Sequence, residues 1–502
     1  MKKRLIVCAG FFLNGYLAVP AFCQAPEPKA FTFGQAYEYM IGNSHVLKKI
    51  DFQISEKEAE TKASSGLRIP KINITGTAVR MSDPIHLDLT PVKNAITPLY
   101  GALGSYGNFS GVPASATATL PDAASTAVVR EQLLEGLDEI NSANWDQTIQ
   151  KKRFASLSAN LVWPLYTGGK INAANEASRI NHEESGIEKE QSKAELLTEL
   201  VTRYYGLVLS KESEKVREQV LDAMKKHLYD AQKLSEQGQI ANVEELHAEV
   251  AESDAEREVL KSRRQSAIIE RSLQNTLACQ ASDSIIPTSP LFLLPDIESV
   301  SYFVDLAQSE SPLLKEVNSK KDLAKTGVRL EKSNYLPSVA LTGMYDIANK
   351  DLSPYMPDWV VGVGLNWTLF DGAARLRKVQ AARYKVAQVE EAGHKAKDDI
   401  ETMVRKLHHE LGMQAEQMQS LDKSITFAEA YAESKEKAFR EGLSSSSDLV
   451  DARLLLAKFR IERLQAMYSY DIALAALLQF CGVPDRFIGY QQRDGAITGS
   501  KN

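Results

Sequence analysis

Cysteine and tryptophan are scarce in this 502-residue chain, with four of each, and histidine contributes only eight residues. So few cysteines cannot staple a small-core scaffold. The histidines are scattered. The one adjacent pair, His408-His409, sits inside a helical pattern without metal-ligand spacing. There is no phosphate-cradling glycine loop, no His-Glu-x-x-His and no nucleophile elbow, so nothing points to an enzyme, a cofactor or a bound metal. The net charge of −6 is mild and gives no reason to expect nucleic acid. After the N-terminus no apolar run approaches the ~18–20 residues of a membrane helix. The remainder is therefore either soluble or crosses a membrane as β-strands.

What is present begins with an export signal. Lys2, Lys3 and Arg4 precede the apolar run Leu5–Val19, and small residues follow at Ala21 and Ala25, giving a signal peptide over residues 1–25. Cys23 opens a lipoprotein reading, against which Pro20-Ala21-Phe22 is a poor small-residue box. Cys8 leaves with the signal. Cys279 and Cys481 each follow a long helical stretch; they are read as two separately buried thiols, a disulfide being the alternative.

The stretch from Val360 to Arg440 carries most of the information. Val361, Val363, Leu365, Trp367 and Leu369 alternate with Val360, Gly362, Gly364, Asn366 and Thr368. This period of two gives one greasy and one lumen-like face. A turn at Phe370-Asp371-Gly372 follows. Then comes a proline-free helical run to Gly442, about 100 Å long at ~1.5 Å per residue. The stretch occurs twice: Trp163, Leu165, Tyr166, Gly168 and Gly238 stand in the same register as Trp367, Leu369, Phe370, Gly372 and Gly442. Upstream, Leu47-Lys48 and Pro70 match Leu314-Lys315 and Pro337. Duplication on this scale means two structural copies.

In order, a first repeat over residues 26–282 holds a helix from Phe31 to Gly66 and a strand with Ile72, Ile74, Gly76 and Ala78 on one face. An insertion over about residues 80–152 follows, rich in Gly, Ser, Ala, Thr and Pro, with an acidic helical fragment at Arg130–Ile140. It reads as a tolerated surface excursion rather than a ligand site. A strand over Phe154–Leu165 leads into a long helix whose Ile187, Ala194, Val201 and Val208 keep a seven-residue step, as in a coiled coil. A Pro-rich linker, 283–299, precedes the second repeat over 300–482, whose helix Val300–Ser333 leads to strands near Val339 and Val360. A polar, irregular tail, 483–502, closes the chain. In each copy the two shorter helices laid end to end match the long one at about 100 Å, which implies a two-layer helical wall. Trp145, Trp163, Trp359 and Trp367 all lie in or beside strands. The spacing of Trp359 and Trp367 approaches the height of an outer-membrane band, and Trp163, Trp359 and Trp367 are candidates for its aromatic girdle.

The duplicated Trp-x-Leu-aromatic-x-Gly turn, and the duplicated tips Gly238-Gln-Ile-Ala-Asn-Val-Glu244 and Gly442-Leu-Ser-Ser-Ser-Ser-Asp448, resemble the TolC family of outer membrane efflux proteins. The likeness covers nearly all of the mature chain except the insertion and the tail. It implies an internally duplicated α+β membrane protein, with long coiled-coil helices forming an α-helical barrel. Each chain of a homotrimer would add four strands to a twelve-stranded transmembrane β-barrel in outer-membrane lipid. It also implies a passive exit duct for small toxic molecules or proteins, served by a periplasmic adaptor and an inner-membrane pump of RND or ABC type. The resemblance further assigns a periplasmic gate to Asp448, Asp451, Glu244 and His247. Phe439 and Ser444 stand where the family has a latching tyrosine and arginine. Adaptor contacts fall to Gly238, Ile240, Ala241, Gly442, Leu443 and Ser445. A secreted coiled-coil structural protein without a pore would share the heptads but would not need the amphipathic strands.

Overall fold

The computed structural model describes residues 29–280 and 284–499. The expected signal peptide, including Cys23, lies outside the described residues. In the first copy the elements are β1 (Lys29–Phe31), α1 (Phe33–Asn43), α2 (His45–Ser65), β2 (Lys71–Arg80), β3 (Ile85–Asp88), α3 (Thr90–Tyr106), α4 (Asp122–Ser142), β4 (Asp146–Gln150), β5 (Arg153–Tyr166), α5 (Lys170–Glu236) and α6 (Asn242–Thr276). The rest of the chain gives β6 (Ile285–Pro287), β7 (Phe292–Leu293), α7 (Val300–Glu310), α8 (Pro312–Ser333), β8 (Ser338–Lys350), β9 (Trp359–Asn366), α9 (Ala374–Arg440), α10 (Ser446–Phe480), α11 (Arg486–Gln491) and β10 (Ile497–Thr498). The duplication is structural. A shift of 204 positions carries α5 and α6 end for end onto α9 and α10. Among the described residues no helix is long and apolar enough to cross a membrane.

The chain forms two compact units. One comprises Glu60–Ser178 and Lys325–Arg383. Its centre is an antiparallel sheet in the order β2-β5-β8-β9. The register puts Ile72 opposite Leu161, Leu161 opposite Gly343 and Gly343 opposite Val361. With Ile74, Trp163, Leu341, Val363 and Leu365 these residues make one continuous apolar face. Lys71, Asn73, Thr75, Ser158, Asn160 and Thr342 occupy the other. The apolar face is uncovered: Ile72 is 71% and Val363 65% exposed. Among the described residues β2 and β9 are both unpaired on their outer edges. β9 stops at Asn366, short of the expected Leu369, because its partner β8 begins at Ser338, just after Pro337.

The insertion belongs to this unit and is folded, not a loop excursion. β3 pairs with β4, and α3 packs on α4. Glycines permit the close approach: a Cβ on Gly104 would lie 3.0 Å from the Leu134 side chain, and one on Gly136 would lie 3.3 Å from Tyr100. The Thr126 hydroxyl pins the opposite loop by donating to the Phe109 carbonyl at 2.8 Å and accepting from its amide at 2.9 Å. The composition that suggested a loop is the composition of a tight helical pair.

Among the described residues the second unit comprises 29–59, 179–280, 284–324 and 384–499. Its core is aromatic. Phe33 lies 5.5 Å from Tyr204, 5.4 Å from Tyr205 and 5.1 Å from Phe487, ring centre to ring centre. The Tyr204 hydroxyl donates to the Phe31 carbonyl at 2.7 Å and accepts from the amides of Thr288 and Ser289. Three expectations are corrected here. The supposed linker is core: β6 pairs in parallel with β1, and Ile285, Leu291, Phe292, Leu293 and Leu294 are all buried. The supposed irregular tail forms α11, which buries Phe487, and β10, which pairs with β7. The single helix expected near each repeat's start is two, broken at Ser44 and Ser311. Both break residues leave the helical region, at ψ 122° and 124°, and Pro312 enforces the second break. Cys481 is buried, and its thiol donates to the Phe303 carbonyl at 3.4 Å.

Asp471 of α10 is fully buried and makes no well-formed side-chain hydrogen bond. Burial pushes its carboxyl well above the usual carboxylate range, and the Phe292 backbone offsets only part of this. A folded-state value above the unfolded one means that folding takes up a proton. Stability is complete below the unfolded value, near pH 3.8, and falls by up to about 1.4 kcal/mol per pH unit above it until the folded value is reached. Asp471→Asn is expected to melt at the same temperature as the parent at pH 4 and at a higher one at pH 8. A pH-independent difference between the two would contradict a buried neutral acid.

Candidate functional site: the paired hairpin tips

Each long helix ends on a glycine because the chain must reverse through the left-handed region. Gly238 has φ 66° and Gly442 has φ 70°. The amides of Gly238 and Gln239 donate to the carbonyls of Ser235 and Leu234, and those of Gly442 and Leu443 donate to Phe439 and Ala438. This crossed pair of bonds closes a helix C-terminus. A Cβ at either glycine would meet open space. The requirement is therefore backbone conformation, worth about 1–2 kcal/mol against any L-side chain.

The second tip then restarts a helix on serines. Ser445 is the N-cap of α10; its side chain accepts from the Asp448 amide at 3.2 Å. The Asp448 carboxylate accepts from Lys435 Nζ and Ser444 Oγ, both at 3.0 Å. The Lys435 hydrogen bond, then Ser444, holds this carboxyl below its ordinary range. Asp451 is exposed, one turn further along α10. Glu244, the first-copy counterpart of Asp448, does something else: its Oε2 accepts the Ser446 amide at 2.6 Å, so it caps the other hairpin's helix. His247 Nδ1 lies 3.3 Å from Ser446 Oγ, and His227 Nε2 lies 2.8 Å from it.

Phe439 does not stand at a free surface. It is 1% exposed and packs with Ala231, Ala248 and Leu449, with its ring 4.5 Å from His227. As a core residue of the tip it meets the neighbouring helices by apolar packing rather than through a polar link at the surface. Ile240, expected to be exposed, packs partly buried on the same cluster. Leu443 is 77% exposed, and Gly238, Ala241 and Gly442 are exposed as well. Beside the cluster, Glu436 gathers Lys226 and Arg440, both at 2.9 Å, and Arg453. Burial works to raise its carboxyl, but the Lys226 hydrogen bond and the three cations outweigh that and hold it low. Arg440 reaches on to Asp230 at 3.2 Å.

A profile of outer membrane efflux proteins matches residues 137–278 and 303–483, well over half of the chain. The chain belongs to the outer membrane efflux protein family. Among curated relatives, the alkaline protease secretion protein AprF of Pseudomonas aeruginosa is 23% identical over 58% of this chain and 62% of its own length. Protein CyaE of Bordetella pertussis is 26% identical over 36% of this chain and 39% of its own length. The chain thus spans less than two thirds of either relative. Among solved structures, the outer membrane protein VceC of Vibrio cholerae shares the fold at a TM-score of 0.64. It is 12% identical, over 90% of this chain and 96% of that one. The family is that of outer membrane efflux proteins.

Within this efflux-family chain two of the tryptophans tie strands together. Trp163 Nε1 donates to the Arg68 carbonyl and Trp367 Nε1 to the Tyr335 carbonyl, each at 3.1 Å. These are equivalent positions in the two copies, so each indole ties one strand end to the residue that leads into the neighbouring strand. Trp359 lies within β9 and is exposed. Sequence reasoning missed His227, Lys435, Glu436 and Ser446. Lys435 was within reach: α9 and α10 run antiparallel on either side of Gly442, which brings the last turns of one against the first turns of the other. His227 and Ser446 stand 219 positions apart and share no such rule.

Proposed function

We propose that this protein is the outer-membrane exit duct of a tripartite efflux or type I secretion system, working as a homotrimer with a periplasmic adaptor and an inner-membrane pump of RND or ABC type. One observation carries the reading: a four-stranded sheet with two open edges and a wholly uncovered apolar face. Open edges cannot be left in lipid, because each unpaired backbone group there costs several kcal/mol. Three such sheets joined β9 to β2 close twelve strands, with the apolar face toward lipid and the polar face around water. Export of small toxic molecules or proteins then needs no chemistry from this chain, only a path and a gate.

For the gate, the proposal keeps Asp448 and Asp451, whose threefold repetition would set six carboxylates around the axis and attract cations. It moves Glu244 and Phe439 from gating to holding the tip together. Exposed Leu443, Ala241 and the two tip glycines remain the surface offered to an adaptor. Reconstituted in planar bilayers, the parent is expected to give a small cation-selective current. Asp448→Ala with Asp451→Ala is expected to raise the conductance and relieve block by divalent cations. Unchanged conductance and block would remove the gate assignment. Failure of the parent to form channels would remove the duct.

A further inference from the structure

Ser446 is the meeting point of both hairpins. It opens α10, it is fully buried, and its amide is held by Glu244 of α6. Its hydroxyl is approached by two imidazoles, His227 Nε2 of α5 at 2.8 Å and His247 Nδ1 of α6 at 3.3 Å. A serine hydroxyl has one proton to give and two lone pairs. It can take a hydrogen bond from one neutral imidazole while giving one to the other, which joins three helices through a single oxygen.

We propose that the His227–Ser446–His247 joint is the latch between the two hairpin tips, and that it releases on acidification. The proposal rests on the duct reading above and supplies the regulation of its entrance. His227 is 4% exposed, and its second nitrogen, Nδ1, finds no hydrogen-bond partner among the described residues. Against its ring lies the Phe439 ring. A protonated imidazole must donate from both nitrogens, so protonation here would place an unpartnered N–H and a charge in a buried seat.

Charged groups face this seat from every side. Lys226 and Asp230 come from its own helix, Glu244 and His247 from α6, Glu436 and Arg440 from α9, and Arg453 from α10. Lys226, Arg440 and Arg453 are already taken up by Glu436 and Asp230. The net result is a basicity below that of an ordinary histidine: burial lowers it most, and Asp230, Glu244 and Glu436 restore only part. In parted tips His227 is solvated and regains its ordinary value. The parted state therefore binds the proton more tightly, and acid favours it. The open-to-closed ratio rises by up to about tenfold per pH unit below ~6.5, until the closed-state value is passed. Asp448, held below the usual carboxylate range, stays charged across this window.

The test uses the full-length protein in planar bilayers at pH 7.5 and 5.5, with hydrogen exchange of residues 440–452 corrected for the intrinsic pH effect. Opening of the parent is expected to rise up to about tenfold at pH 5.5, with a matching loss of protection. His227→Gln, which keeps a hydrogen-bonding group but cannot titrate, is expected to open little at either pH. Ser446→Ala is expected to open readily at both. A parent-like pH response in His227→Gln would overturn the latch, as would pH-independent protection of residues 440–452 in the parent. If His227→Gln fails to assemble, the Ser446→Ala comparison and the parent's exchange decide the matter. Absence of unitary current from every variant would refute the duct instead, and the exchange data would still judge the joint.

Discussion

Val363→Arg is expected to abolish recovery of assembled protein from outer membranes. Val363 sits in the middle of β9, opposite Leu341, on the face that also carries Ile72, Ile74, Leu161 and Trp163. A guanidinium at a lipid-facing midplane costs about 2–4 kcal/mol per strand, and the proposed trimer would meet that cost three times. Thr342→Arg, one position along the ladder and on the opposite face, is the control. There the side chain would enter water, and the variant should assemble. Heat-modifiable trimer on gels of outer-membrane fractions reads both. Equal assembly of the two variants would mean that lipid does not cover this face. Loss of both would mean that the β8-β9 pair tolerates arginine on neither face.

Phe439→Ala should have the second largest effect. Removing a fully buried phenylalanine costs about 3–5 kcal/mol, and here the cavity would open beneath both hairpins, beside His227 and Leu449. Proteolysis within residues 430–450 is expected to accelerate sharply, while β2-β5-β8-β9 assembly remains. Phe439→Tyr sharpens the point. The family's latch uses a tyrosine at this position, so a surface latch would welcome the hydroxyl. In the buried seat seen here the hydroxyl must leave water, and if it goes unpaired it should cost about 1–3 kcal/mol. A tyrosine variant that tightens the tip would return Phe439 to the gate.

Where the sequence was legible, one physical signal dominated locally. Alternation of Val361, Val363 and Leu365 with Gly362 and Gly364 can only be a two-faced strand. Glycine at 238 and 442 marked both reversals because no other residue adopts that backbone cheaply. Illegible regions were those where two signals conflict. Leu291–Leu294 is a buried strand region, but Pro287, Pro290 and Pro295 make it read as a linker. The insertion's helices are built from the small residues that usually mark loops, because α3 and α4 approach through Gly104 and Gly136. At the site, register alone misled. Glu244 and Asp448 are equivalent in the duplication, yet Asp448 meets Lys435, whose counterpart is buried Ala231, so Glu244 turns to Ser446 instead. Duplicated sequence preserved the turn and released the side chains.

The closure of the aromatic core across the chain has a consequence for biogenesis. The Tyr37 hydroxyl donates to Asp485, 448 positions later, and Phe33 packs against Phe487. No early part of the polypeptide can bury Phe33, Tyr204 and Tyr205 while it emerges from the ribosome, because the segment that seals them has not yet been made. The nascent protein therefore stays without its central nucleus until translation has passed α11. A chain without that nucleus stays pliable, the state in which threading through a narrow secretion pore is cheapest.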